Sequence, residues 1–305
     1  MNEARIYVLH ENDEWFAPLS VALTRAGLPF ESWNMKSGVI DLQTEPPKGV
    51  FFSRMSASAH TRGHLHAPDF TACVLAWLER HGRRVINGST ALRLELSKVA
   101  QYAMLEDFGL TVPHTLAVCG NEGILKAAAS FSGPFITKHN RSGKGLGVRL
   151  FHSVAELADH LDGPDYIPPV DGILLLQEYI QAPQPYITRL EFIAGNFVYA
   201  LRADTSEGFE LCPQCSADSC AISTVVDKFT IVEEKVPDLD RYQALLRHAH
   251  IEVGAVEFIL DKSGHSYTYD INTNTNYKAA AEAKAGVSAM ERLAAFLGGE
   301  LARFG

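Results

Sequence analysis

The run Val256-Glu257-Phe258-Ile259-Leu260-Asp261-Lys262-Ser263-Gly264-His265-Ser266-Tyr267-Thr268-Tyr269-Asp270-Ile271-Asn272 has two alternating segments around a turn sequence. It reads as a β-hairpin. Val256, Phe258 and Leu260 alternate with Glu257 and Ile259; Tyr267, Tyr269 and Ile271 alternate with Thr268, Asp270 and Asn272. A tight turn in which 261 opposes 264 sets 257 against 268. Glu257, Asp270 and Asn272 then share one face, with Asp270 one diagonal step from Glu257. The apolar and aromatic face is expected to pack on the core. Two carboxylates and an amide oxygen are hard ligands, suited to Mg2+ (or Mn2+) bridging nucleotide phosphates. They suit equally the solvated side of a two-sided sheet. Neighbouring carboxylates repel unless neutralised, and no basic residue alternates with them here, which favours the metal.

Two further pieces lie upstream. In Pro134-Phe135-Ile136-Thr137-Lys138-His139-Asn140-Arg141-Ser142-Gly143-Lys144-Gly145-Leu146-Gly147-Val148 a strand ends in Lys138 and enters a loop with three glycines and two cations. Glycines let backbone N–H groups approach phosphate oxygens, and Lys supplies charge. The Lys-Ser/Thr ending of a Walker A loop is absent. A mobile surface hairpin has the same composition. Leu174-Leu175-Leu176-Gln177-Glu178-Tyr179-Ile180 by itself reads as a buried strand.

The N-terminal part alternates strand and helix. Ile6–Leu9 reads as a strand. A helix follows, marked by Trp15, Phe16, Leu19, Ala22, Leu23 and Ala26 and stopped by Gly27. Leu28–Trp33, Val50–Phe52 and Val85–Ile86 continue as strands, with a helix around Val74–Leu78. This is a parallel, doubly wound pattern, in which ligands sit at strand carboxyl ends. Ser53–His64 lies at such an end. There Arg54 and Arg62 are placed to hold a carboxylate bidentately and Ser56, Ser58 and His60 to orient it; a solvated basic loop reads the same way. Asn274 and Asn276, just past the hairpin, form a second substrate-contact candidate. Downstream of Asn87, Ser97 caps a helix over Lys98–Asp107, and Ser153 with Glu156 forms a capping box. The strand Phe197–Leu201 ends beside Arg202.

The chain of 305 residues is long enough for two or three subdomains. A net charge of -9 gives no electrostatic footprint for nucleic acid or an anionic membrane. The first residues lack the basic-then-apolar pattern of a signal peptide, and no run has the length of a membrane span. Five cysteines, thinly spread, are expected to be reduced in a cytoplasmic protein. Cys212, Cys215 and Cys220, with His265 or another His, would also suit structural zinc.

In their order and spacing the three pieces resemble the ATP-grasp superfamily, and most closely the RimK-type alpha-L-glutamate ligases. The resemblance covers most of the chain and is strongest from Asn87 to Tyr277. Lys98 matches the Lys near the start of the family's central domain, and Lys138 the strand-end Lys. Gln177-Glu178-Tyr179-Ile180 matches the adenine hinge. Glu257 with Asp270-Ile271-Asn272 matches the metal ligands. The chain departs from the family in three places. Ile187-Thr188-Arg189 lacks the Asp of an Asp-hydrophobic-Arg triplet, which puts glutamate specificity in doubt. Glu257 and Asp270 stand where Asp and Glu are usual.

The resemblance implies an α/β chain, α+β in its C-terminal part. A Rossmann-like unit at 1–88 would precede a central subdomain at 89–175, carrying the glycine-rich loop, and a C-terminal subdomain at 176–305, with hinge and metal site. It implies ATP and Mg2+ as cofactors. Lys98, Lys138, Ser142, Gly143, Gly145 and Gln177 to Ile180 would hold the nucleotide, and Arg202 and Arg189 would be catalytic. The implied activity is formation of an amide or peptide bond between a small carboxylate and an amine or peptide through an acyl phosphate, such as addition of glutamate. Self-association is also implied. An ATP-binding regulatory or carrier protein on the same scaffold is the other reading.

Overall fold

The computed structural model describes residues 3–143, 145–206, 208, 228–233 and 236–304. Cys212, Cys215 and Cys220 lie outside them; Cys73 and Cys119 are exposed and unbridged. Among the described residues no helix is long and apolar enough to cross a membrane.

The N-terminal unit is the expected parallel α/β layer. Strands β1 (Arg5–His10), β2 (Phe30–Asn34), β3 (Gly49–Ser53) and β4 (Arg84–Ile86) form a sheet in the order β2-β1-β3-β4. Helices α1 (Asp13–Arg25) and α2 (Ala67–Arg80) connect them. The side chain of Asn12 caps α1 by accepting from the Trp15 N–H at 3.1 Å. Helices α3 (Ser89–Glu95) and α4 (Lys98–Asp107) follow, α4 capped by Ser97 as its sequence requires.

The central sheet is antiparallel, in the order β5-β8-β6-β7, from β5 (Thr115–Cys119), β6 (Phe135–His139), β7 (Arg149–Phe151) and β8 (Ile173–Glu178). Helices α5 (Ile124–Ala128) and α6 (Val154–Leu161) cover one face. Ser153 caps α6, while the Glu156 carboxylate takes the N–H of His152, one residue before the cap. β8 runs through position 175 and keeps pairing with β6 to Glu178.

The C-terminal sheet, in the order β11-β10-β9-β12-β13, is built from β9 (Tyr186–Ile193), β10 (Asn196–Asp204), β11 (Phe229–Val232), β12 (Val253–Leu260) and β13 (Ser266–Asn272). Helices α7 (Leu239–His248), α8 (Ala279–Ala285) and α9 (Ala289–Ala302) complete the chain. One apolar core joins this sheet and α9 to the N-terminal sheet through Ile6, Val8, Val50, Phe52, Ile193, Leu201, Leu293 and Leu297. A second lies between the C-terminal sheet, α4 and α7. The central sheet has its own, with Ile124, Phe135, Phe151, Leu157 and Leu176.

The hairpin of β12 and β13 forms, but in another register than a tight turn predicts. Asp261 pairs with His265, its N–H donating to the His265 carbonyl at 2.9 Å, and Gly264 adopts φ +82°. The Asp261 carboxylate accepts from the N–H groups of Ser263 and His265. A three-residue turn closed by a left-handed glycine thus replaces the two-residue turn. Leu260 faces Ser266 and Phe258 faces Thr268, but Glu257 faces Asp270. Tyr269 is the extra residue, a β-bulge. The two carboxylates are therefore directly opposed, not diagonal. Tyr269, expected on the core face, packs against the second core and also lines the cleft.

Candidate active site

A cleft of about 240 Å³ opens between the C-terminal and central sheets, with the N-terminal unit at one end. Its floor is one face of the C-terminal sheet. Register aligns Leu201, Arg189, Glu257 and Asp270 across four strands, so alternation points all four the same way. Asn272 lies two residues beyond Asp270 and lines the same cleft.

Tertiary structure supplies the counter-charges that the two strands lack. Lys98, at the first turn of α4, donates to Asp270 at 2.6 Å. Arg189 donates to Glu257 and to Glu191, each at 2.7 Å. The Asn272 amide donates to Glu257 at 3.3 Å. Burial, with the charge of Asp270, raises the Glu257 pKa against the pull of Arg189. Burial would also raise Asp270, but Lys98 and Lys138 outweigh it and hold it below the usual carboxylate range. Burial likewise opposes the charge of Arg189, yet Glu191 and Glu257 more than compensate and raise its pKa.

The roof comes from the central sheet. Lys138 is buried, donates to the Tyr269 carbonyl at 3.0 Å and stands 5.0 Å from the Tyr269 ring centre. Burial lowers its pKa. Ser142, Gly143 and Gly145 line the cleft beside it. Gly147 has φ +76°, and a Cβ there would meet the His139 ring at 2.4 Å, so no other residue fits without displacement. At the apolar end the cleft is walled by Ile136, Ile180, Ile187, Leu201, Ala203 and Ile259, with Gln177, Glu178 and Tyr179 along its rim. The Glu178 carboxylate is engaged by the His114 N–H at 2.7 Å. The buried Gln177 Nε2 has no partner among the described residues.

Of the expected substrate residues, Ser56, Ser58, Asn274 and Asn276 line the cleft. Arg54 does not. It is buried and donates to the carbonyls of Trp15 and Thr275 and to the Asn276 side chain. Burial pushes its pKa down to about 10. Arg62 is also not on the wall: Glu11 holds its guanidinium and it stacks 4.4 Å from the Trp15 ring. His60 faces the Ala57 carbonyl at 3.1 Å. The bidentate carboxylate clamp expected from the two arginines is therefore not assembled, because both guanidiniums are spent inside the protein. Arg202 does not line the cleft either. It follows Leu201, so alternation turns it to the sheet's other face, where it stands 4.3 Å from the Tyr186 ring centre. Arg189 holds the cleft position.

Glu95, Glu191 and Trp15 line the cleft without a signal in the sequence. Glu95, at the end of α3, accepts from the N–H of Ala57 at 3.1 Å and that of Thr273 at 2.7 Å. Its partners are far away in the chain, so local pattern cannot find it.

The donor set fits a hard divalent ion. Glu257 and Asp270 are opposed, with the Asn272 amide against Glu257, while Lys98 and Arg189 remain beside them for an anion. Among the described residues no group of three or more His, Cys, Asp or Glu gathers, here or elsewhere; the third oxygen donor at this cleft is an amide.

No protein-family model matches the chain. It is 27% identical over 172 residues to a tetrahydromethanopterin:alpha-L-glutamate ligase of Methanosarcina acetivorans; the match spans 53% of this chain and 52% of that protein. The chain thus spans about half the length of the curated relative it matches. Among solved structures it is similar to D-alanyl-alanine synthetase A from Vibrio cholerae, at a TM-score of 0.69 and 13% identity, covering 99% of both chains. It is also similar to a RimK domain ATP-grasp protein from Sphaerobacter thermophilus, at 0.67 and 17%, covering 96% of this chain and 99% of that one. The ATP-grasp ligase PsnB, in a complex with a precursor variant, Mg and ADP, aligns at 0.67 and 15%, covering 98% and 99%. The fold is ATP-grasp.

Proposed function

We propose that this chain is an ATP-dependent carboxylate–amine ligase that forms an amide or peptide bond through an acyl phosphate. The observation that carries the reading is the row Arg189, Glu257, Asp270, with Lys98 on Asp270, facing Lys138 and the glycine-rich loop across one cleft. Such a row concentrates cations and hard oxygens where a nucleotide's terminal phosphates would lie, beside an apolar slot suited to adenine. The names of the curated relative and of the structural neighbours point the same way.

In this reading ATP lies along the cleft with adenine against Glu178 to Ile180. Lys138 and Lys98 meet the phosphates, and Ser142, Gly143 and Gly145 cover them. Glu257, Asp270 and Asn272 would hold Mg2+, which when bound shields phosphate charge from an attacking carboxylate. Arg189, fixed by two carboxylates, faces the transferring phosphoryl and stabilises the charge that develops there. The acyl phosphate is then attacked by an amine, and phosphate leaves. The acid and the amine bind at the end lined by Ser56, Ser58, Asn274 and Asn276.

The test is release of ADP and phosphate over a panel of acid and amine pairs. Release is expected only with ATP, Mg2+, an acid and an amine together. Asp270→Asn should lower kcat by at least about 10²-fold. ATP-induced stabilisation with no turnover across the panel would instead support the regulatory or carrier reading.

A further inference from the structure

Ser56 and Ser58 are 7% and 2% exposed, and both line the cleft. Their hydroxyl oxygens lie 2.9 Å apart. The Ser58 oxygen accepts from Arg62 Nη1 at 3.1 Å, and the Ser56 oxygen accepts from the Ser58 N–H at 3.2 Å. The pair owns two hydroxyl hydrogens. One bridges the two oxygens, whichever residue donates it. The other has no acceptor among the described residues, and the open space beside it is the cleft. Arg62 cannot turn away to take an acceptor itself. Its Nε and Nη2 are fixed by Glu11, a carboxylate 1% exposed that also pairs with His64 at 2.6 Å.

The same wall is tied to the floor. Glu95 binds Ala57, between the two serines, and Thr273, next to Asn274. One carboxylate therefore brings the serine pair and Asn274 to the same place. Among the described residues the Asn274 Oδ1, buried there, has no partner.

We propose that the serine pair donates its remaining hydroxyl hydrogen to a substrate carboxylate. Arg62 is a positioning residue in this arrangement. It delivers its charge through Ser58 and does not touch the substrate, and Glu11 holds it in place. A hydroxyl that accepts from a cation, directly or through its neighbour, is polarised, and a hydrogen bond to a charged acceptor is the strong kind. One hydroxyl, rather than a guanidinium fork, makes a site for one carboxylate. This deepens the ligase reading and rests on it for the identity of the cleft, but binding tests it without turnover.

The experiment is calorimetric titration of the full chain, loaded with ADP and Mg2+, using L-alanine and L-alaninamide as probes. Alanine is expected to bind at least on the order of tenfold tighter than alaninamide, the scale of one hydrogen bond to a charge. The double variant Ser56→Ala/Ser58→Ala should remove that preference while leaving ADP affinity unchanged. Arg62→Lys keeps the charge but loses the fork, so it should retain only part of the preference. Ser58→Thr, which restores a hydroxyl, should keep most of it. Equal binding of the two probes to the wild type, binding of neither, or an undiminished preference in the double variant would each overturn the proposal. Failure of the ligase reading has a separate signature: alanine binds and loses affinity in the double variant, yet no acid and amine pair releases ADP.

Discussion

The floor and the roof of the cleft are anchored in different ways. The floor is sewn to the N-terminal unit by a shared apolar core and by polar bonds, buried or half-buried. Arg84 reaches Glu252 at 2.7 and 2.6 Å and Glu300 at 2.6 Å. Asn87 donates to the carbonyls of Val253 and Thr273 and accepts from the N–H groups of Glu252 and Val253. The roof stands on a core of its own. Outside that core, Leu175 and, in part, Ile173 of β8 reach into the second core, and Asn140 accepts from the Val99 N–H and from the Lys98 N–H. A segment with its own core can shift as a unit, whereas one that shares its core cannot move without breaking it. Ser56, Ser58, Glu257, Asp270 and Asn272 thus keep their spacing, while Lys138 and the glycine-rich loop ride on a piece that shares less of that core.

Core truncations give the largest effect on that contrast. Leu297→Ala, in the shared core, should cost about 3 kcal/mol and lower the melting of the N-terminal unit and the C-terminal sheet together. Leu176→Ala, in the central core, should cost a similar amount but act on the central sheet alone. Hydrogen exchange resolved by segment reads both. Equal loss of protection everywhere in both variants would break the distinction between seam and roof.

A smaller effect is expected at Asn87, which has φ +56° and is 1% exposed. Asn87→Gly keeps the backbone conformation but removes four hydrogen bonds across the seam, at a cost of about 2 kcal/mol. Segment-resolved exchange should show faster opening around Val253 and Thr273, with the central sheet unchanged.

The smallest effect, about 1.5 kcal/mol, is expected from Glu11→Gln, which weakens the hold on Arg62. Burial alone would raise the Glu11 pKa, but Arg62 and His64 outweigh it and hold it below 4.5. A carboxylate whose folded pKa is depressed stabilises the protein fully above its unfolded pKa and loses that contribution as pH falls through the folded one. The wild type should therefore exceed the variant by a constant margin above about pH 5, and the margin should shrink on acidification. Denaturant melts at pH 7 and at pH 3 measure it; a margin that grew at low pH would contradict the pairing.

The sequence by itself determined the elements and most of the site's membership. Alternation in β12 and β13 shows Glu257, Asp270 and Asn272 on one hairpin, and Lys98 and Lys138 are legible from the cap at Ser97 and the strand ending at 138. These are local signals, set by backbone periodicity and caps. Only the tertiary structure decided the register, through the left-handed Gly264 and the Tyr269 bulge, and so set the two carboxylates directly opposite each other. It alone turned Arg202 away, spent Arg54 and Arg62 inside the protein, and brought Glu95 to the cleft. The reason is physical. A long cationic side chain reads the same in sequence whether it faces a ligand or a buried carboxylate, and which of these it meets depends on segments distant in the chain.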